Sequence, residues 1–217
     1  MTDLLYRWPA AARFGRAVPK TKFYEHGTVP TSVRERFVAE VQRITWAYKL
    51  AEWTINLAGS TEVPEIQVFQ LVAKGDDISE PVLTAIDKAV RTPIIFEVSG
   101  GGRIRMTAAF KLISGVSPKL GAYYTSSWLA EDAERQQLPT AITLPGLYTA
   151  LVQSLTPMPL RAGEEPADSA ARLQTVRTLE REIASLRRKL GTEVQLNRKV
   201  EIRRSLKEKQ AELEQQR

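Results

Sequence analysis

Ile66-Gln67-Val68-Phe69-Gln70-Leu71-Val72-Ala73 is apolar at all but two positions. A continuous run of this kind suits a strand covered on both faces of a sheet. Gly75-Asp76-Asp77 ends it. Ser79-Glu80-Pro81 then supplies an N-cap candidate with proline in the first turn, and Leu83, Ile86 and Val90 carry the stripe of a short helix closed by Pro93. A second apolar strand, Ile94 to Val98, follows at the spacing of a crossover unit, so the two strands are expected to be parallel. This stretch predicts an α/β (α+β) body, a mixed β-sheet flanked by helices.

Toward the C-terminus, Ser99-Gly100-Gly101-Gly102 has turn chemistry. Beyond it Ile104, Met106, Ala108 and Phe110 alternate with Arg103, Arg105, Thr107 and Ala109, which reads as a hairpin strand with one solvated face. A strand around residues 121–125, a loop to Pro139 and a helix starting near Pro145 complete the body.

Toward the N-terminus, Trp53 to Leu57 alternates like a half-buried strand. Before it, Pro30-Thr31-Ser32 opens a helix, with Ser32 and Glu35 at capping-box spacing. The apolar stripe Val33, Phe37, Val41, Ile44 and Tyr48 extends that helix toward residue 48. Residues 1–30 read as an irregular arm, basic and aromatic. The expected organisation is an arm over 1–30, an α/β domain over 31–156, a linker over 157–167 and a helical hairpin over 168–217.

That hairpin carries the charge. From Arg172 on there are thirteen basic and seven acidic side chains, a surplus equal to the whole chain's formal +6. Val176, Leu179, Ile183, Leu186 and Leu190 step by three and four as a coiled-coil seam does. Leu196, Val200, Ile202, Leu206 and Leu213 form a second stripe. On one straight helix the two stripes would point roughly 170° apart. A turn at Gly191-Thr192 removes the conflict, with Gly191 expected as a left-handed C-terminal cap and Thr192 with Gln195 as the next capping box. The antiparallel pair so formed buries too little to stand alone, so it needs a neighbour. The body, a second copy and another protein are all open, and Leu173 and Val194, outside the tight seam, are further candidate contacts.

Composition restricts the chemistry. With no cysteine among 217 residues, disulfides, thiolate nucleophiles and cysteine-containing zinc sites are excluded. His26 is the sole histidine, flanked by Glu25 in the arm. No apolar run is long enough to span a membrane and the first residues lack the order of a secretory signal, so a cytoplasmic protein is expected. The glycine cluster leads into a strand and no phosphate-loop motif occurs, so no cofactor or metal is expected. Asp76, Asp77, Glu97 and Lys111 are the one set from which a metal-dependent nuclease could be assembled. Arg13, Arg16, Lys20 and Lys22 of the arm, with Arg103 and Arg105 of the sheet, are candidates for nucleic-acid contact. An ordinary solvent face accounts for the same residues.

In order along the chain, Lys20-Thr-Lys-Phe-Tyr24, Ile44-Thr-Trp-Ala-Tyr-Lys-Leu50, Thr54-Ile-Asn-Leu57, Glu65-Ile-Gln-Val-Phe-Gln-Leu71, Pro93-Ile-Ile-Phe-Glu97 and Leu196-Asn-Arg-Lys-Val-Glu201 resemble the prokaryotic family called domain of unknown function 4391. The likeness runs over nearly the whole chain. It implies no catalytic residues. It does imply a gene context of superfamily-2 helicases and site-specific DNA methyltransferases of restriction or phage-defence systems. The expectation is a non-enzymatic accessory or scaffold subunit of a DNA-acting assembly, docked through the hairpin onto a protein such as the helicase or methyltransferase. A metal-dependent nuclease and a direct nucleic-acid binder are the alternatives.

Overall fold

In chain order the body comprises β1 (Arg13–Ala17), α1 (Thr31–Glu40), β2 (Val41–Ala51), α2 (Glu52–Ile55), β3 (Glu65–Ala73), α3 (Glu80–Ala89), β4 (Ile94–Gly100), β5 (Arg103–Leu112), β6 (Lys119–Thr125), β7 (Leu129–Ala130) and α4 (Leu144–Ser154). The computed structural model describes residues 3–24, 29–112, 119–156 and 166–216. His26 and most of the expected linker lie outside them. The chain divides into two units, Met1–Pro159 and Leu160–Arg217.

The strands form one mixed sheet in the order β1-β2-β3-β4-β5-β6, with β7 also on β5. The expected crossover lies at its centre: β3 and β4 are parallel, with Phe69 beside Phe96 and Gln70 beside Glu97. Every other pairing is antiparallel. On one face Ile94, Phe96 and Val98 pack with Phe37 of α1 and Val82, Leu83 and Ile86 of α3. Each such side chain, taken fully out of water, contributes about 1.5–3 kcal/mol. The alternate residues Ile95 and Glu97 face the other way, where the N-terminal segment buries Leu4, Leu5 and Trp8 and where α4 packs on β3 and β5.

The expected helix to residue 48 is corrected. α1 ends at Glu40 and the chain passes directly into β2. Register shifts between Val41 and Arg43 and between Trp46 and Tyr48 mark two irregularities in β2. Each inserted residue advances the strand's alternation by one position. Val41, Ile44, Ala47 and Leu50 are therefore buried at every third position, a spacing close to that of a helix, with Ala51 buried next to the last of them. The Ser32 capping box is also absent: α1 starts at Thr31 after Pro30, with no side-chain cap.

Three other expectations change. Trp53 to Leu57 is not a strand, because α2 begins at Glu52 and Thr54 Oγ1 accepts the Ala51 backbone N–H at 2.9 Å. Asn56, at φ 56°, ends the turn. The arm is not irregular throughout, since β1 joins the sheet edge. The solvated face expected for β5 is confined to Arg103 and Arg105, because Thr107, Ala109 and Lys111 are buried beneath α3 and β6. An irregularity between Ala109 and Lys111 is closed by α4: the Tyr148 hydroxyl donates to Ala109 O at 2.6 Å and accepts Lys111 N–H at 2.9 Å. Two backbone groups that the ladder leaves over are thus satisfied inside the core.

The second unit is the expected hairpin of α5 (Pro166–Thr192) and α6 (Leu196–Gln216). Val176, Leu179 and Ile183 are buried, and Leu186 and Leu190 half-buried on the same seam. On α6 Lys199, Ile202, Leu206, Lys209, Leu213 and Gln216 are half-buried at steps of three and four, with Ser205 half-buried beside Leu206. Antiparallel register is held by Arg172 Nη1 donating to Gln216 O at 3.0 Å and by Lys209 lying 3.4 Å from Glu182.

The turn differs from expectation in its chemistry. Gly191 stays within α5 at negative φ, and the Thr192 hydroxyl donates back to Arg188 and Lys189 carbonyls. Glu193 braces the turn at 193–195, its Oε1 accepting the Val194 and Gln195 N–H groups at 2.9 and 3.0 Å. Those bonds, chiefly the one from Gln195, hold its carboxyl below the usual carboxylate range.

Candidate functional site

The buried charges of the body form two separate centres on opposite faces of the sheet. On the α4 side, Glu97 points from the middle of β4 with its side chain wholly buried. Its Oε1 accepts Trp8 Nε1–H at 2.7 Å and Arg135 Nη1–H at 2.6 Å. Its Oε2 accepts Gln70 Nε2–H at 2.9 Å and a longer bond from Arg135 Nη2 at 3.4 Å. Arg135 also donates to Tyr6 O at 2.8 Å. Both carboxylate oxygens are thus engaged by groups that tie the N-terminal segment and the 131–143 loop to the sheet. A carboxylate so occupied has no lone pair directed at an open space.

On the α3 side, Lys111 and Asp87 form an ion pair with side chains 0% and 1% exposed. The ammonium also donates to the carbonyls of Asp87, Val90 and Thr92, each at 2.8 Å, so it satisfies the C-terminal end of α3. Tyr123 donates to Asp87 Oδ2 at 2.8 Å. Oδ1 faces the ammonium as its ion-pair partner. Burial raises the Asp87 carboxyl and lowers the Lys111 ammonium, each shift being opposed by the other's charge. Burial also pushes the phenols of Tyr123 and Tyr148 far above their ordinary range, with the Asp87 charge adding to both.

The nuclease set is therefore not brought together. Glu97 and Lys111 lie on opposite faces of the sheet. Asp77 is exposed beyond β3, where its Oδ1 accepts Arg105 Nη2–H at 2.7 Å. Asp76 sits in the same turn, close against Gly101 of the β4–β5 hairpin. Among the described residues no group of three or more His, Asp or Glu side chains could hold a metal ion. Sequence spacing correctly put Glu97 and Lys111 on adjacent elements but carried no signal of which face each takes. Trp8 and Arg135, the partners that decide the role of Glu97, come from 89 and 38 residues away.

The basic candidates divide into two groups. Arg13 and Arg16 extend from β1 and are exposed; Lys22 is exposed in the following turn, while Lys20 donates to Val41 O at 2.8 Å. Arg103 and Arg105 flank the Trp128 ring at 5.4 and 5.1 Å. Four strand spacings, roughly 19 Å, separate β1 from β5. The two groups cannot form one continuous stripe.

In the hairpin, Val176, Leu179, Ile183, Leu186 and Leu190 of α5 and Ile202, Leu206 and Leu213 of α6 lie on the seam. Leu196 and Val200 do not. They are 72% and 57% exposed, beside Val194 at 87%, and form an apolar tip around the turn. The side chain of Leu173 lies outside the described residues. Among the described residues no helix is long and apolar enough to cross a membrane.

A family model described as a domain of unknown function (DUF4391) matches residues 7–213. No curated protein and no solved structure matches the chain.

Proposed function

The chain belongs to the family described as a domain of unknown function (DUF4391), and on that premise we propose that it is a non-enzymatic accessory subunit of a DNA-acting prokaryotic defence or restriction-modification assembly, docked through the tip of its hairpin onto a partner protein. The observation that carries the docking reading is the exposure of Val194, Leu196 and Val200 on a hairpin whose own seam uses other positions. Adjacent aliphatic side chains left in water at the end of two charged helices are the expected form of a helix-borne docking element. The surplus of basic side chains along the hairpin favours a partner with acidic residues around an apolar groove. The DNA-acting setting rests on the family's implied gene context, with its helicases and methyltransferases.

The catalytically silent part of the reading is supported by the engagement of Glu97 and Lys111 in structural bonds. The test is co-purification. Wild-type protein and a Leu196→Asp/Val200→Asp variant are each co-expressed with the products of the neighbouring genes and passed over a sizing column. The wild type is expected to co-elute with a helicase or methyltransferase and the variant to elute alone. Equal co-elution of both overturns docking through the tip.

A further inference from the structure

Along the β1–β2 margin of the sheet, aromatic rings lie beside cations. The Phe14 ring of β1 lies 4.3 Å from that of Trp46 in β2, and Trp46 stacks in turn on Phe69 of the core at 5.9 Å and 10°. Trp46 is fixed further by Nε1 donating to Gln67 Oε1 at 2.7 Å. The Arg16 guanidinium lies 4.9 Å from the Phe14 ring centre. At the other end the Lys49 ammonium lies 6.0 Å from Trp46 and 5.1 Å from Trp53, whose ring is 73% exposed. The series Arg16, Phe14, Trp46, Lys49, Trp53 unites residues from three elements. None of its spacing is visible in the linear sequence.

We propose that this array binds single-stranded nucleic acid, with one unpaired base on the exposed Trp53 ring, another at the half-buried Phe14 ring, and phosphates on Arg16 and Lys49. Rings held beside a rigid sheet and flanked by cations suit a base–phosphate repeat, since every base offers a stacking face and every linkage a negative charge. A duplex hides those faces inside its own stack, so it gains only the phosphate contacts. An apolar protein segment would cover Arg16 without offering it an anionic partner. Glu65 opposes binding: its Oε2 pairs with the Lys49 ammonium at 2.7 Å. A phosphate at Lys49 has to compete with that carboxylate. The proposal goes beyond hairpin docking and does not depend on it.

The test is fluorescence anisotropy of the full chain with labelled oligothymidylate and oligouridylate of about twenty nucleotides, at about 50 mM salt and upward. Binding is expected, with a slope of about −1.4 in log affinity against log salt for two phosphate contacts. The two probes distinguish DNA from RNA as the source of the strand. Trp53→Ala and Arg16→Ala change exposed side chains; the first is expected to weaken binding about fivefold or more, the low end of one lost stacking contact, and the second to weaken it and to reduce the salt slope by about 0.7. Glu65→Gln is expected to tighten it roughly two- to threefold by freeing Lys49. The hairpin-tip variant is expected to bind the oligonucleotide as the wild type does, which separates this proposal from docking. No binding at about 50 mM salt, equal affinity for a duplex, or wild-type affinity in both the Trp53 and Arg16 variants overturns it.

Discussion

The Lys111 ammonium and the Asp87 carboxylate meet entirely inside the protein and join β5 to the end of α3. Attraction between them must offset the desolvation of both, which burial of each group makes large. Three carbonyl acceptors around the ammonium and the Tyr123 hydroxyl on the carboxylate make the arrangement tenable. Removing one member strands the other. Lys111→Met and Asp87→Asn are each expected to cost about 3–5 kcal/mol, and the double variant less than the sum. Urea unfolding of the three proteins measures this, and strict additivity would mean that the two groups do not act as a pair.

Alkaline titration should single out the buried phenols. The folded values of Tyr6, Tyr123 and Tyr148 are raised above the ordinary 10.0, in each case chiefly by burial. Their contribution to stability is therefore fully present below pH 10 and is lost as pH rises beyond it, because the unfolded chain releases those protons first. Absorbance of phenolate near the tyrosine edge, followed in the wild type and in single Tyr→Phe variants, should show these three phenols ionising only together with loss of the folded circular-dichroism signal. Their ionisation in the folded protein would contradict the burial.

Glu97 separates a structural from a catalytic role. Glu97→Ala leaves Trp8 Nε1 and the Arg135 guanidinium without their acceptor and is expected to destabilise by about 2–4 kcal/mol, less than for the Lys111 pair because Arg135 keeps some access to water. Plasmid incubated with Mg²⁺ or Mn²⁺ is expected to remain intact with wild type and variant alike. Cleavage by the wild type that Glu97→Ala abolishes would give the carboxylate a catalytic role.

Two glycines at the end of the parallel strands make a matched pair. A Cβ on Gly100 would lie 2.6 Å from Gly75 O and 2.7 Å from Asp76 O, both backbone atoms. Gly100→Ala should cost about 1–3 kcal/mol. At Gly75 a Cβ meets nothing within 4 Å and φ is not positive, so Gly75→Ala should stay within about 0.5 kcal/mol of wild type. Thermal melts of the two variants compare them directly.

In the hairpin, Ile183→Ala on the buried seam should cost about 2–5 kcal/mol, whereas Leu196→Ala at the exposed tip should leave helicity and melting unchanged. Helical circular dichroism against temperature is the readout. Equal losses from both would place Leu196 on the seam.

What could be read from the chain depended on whether its period survived folding. Ile66 to Ala73 and Ile94 to Val98 are continuous apolar runs, and a run buried on both faces does not depend on register, so the parallel core was legible. The heptad of α5 was legible for a similar reason, since its period is set by the helix itself. β2 was not: its two irregularities are decided by pairing with β1 and β3, and they convert alternation into steps of three. The hairpin was legible, but its turn lies at 193–195, just past the expected Gly191-Thr192, and Glu193 rather than Thr192 holds the turn's N–H groups.

By itself the sequence determined the α/β class, the central crossover and the charged antiparallel hairpin, because local periodicity and turn chemistry specify those. Tertiary structure decided what the polar residues are for. Glu97 and Lys111 read as neighbours on adjacent strands, and the sheet sends them to opposite faces. Arg16, Phe14, Trp46, Lys49 and Trp53 read as scattered residues, and pairing of β1 with β2 aligns them. A strand's period specifies which residues share a face, but which partners that face meets depends on chain segments tens of residues away.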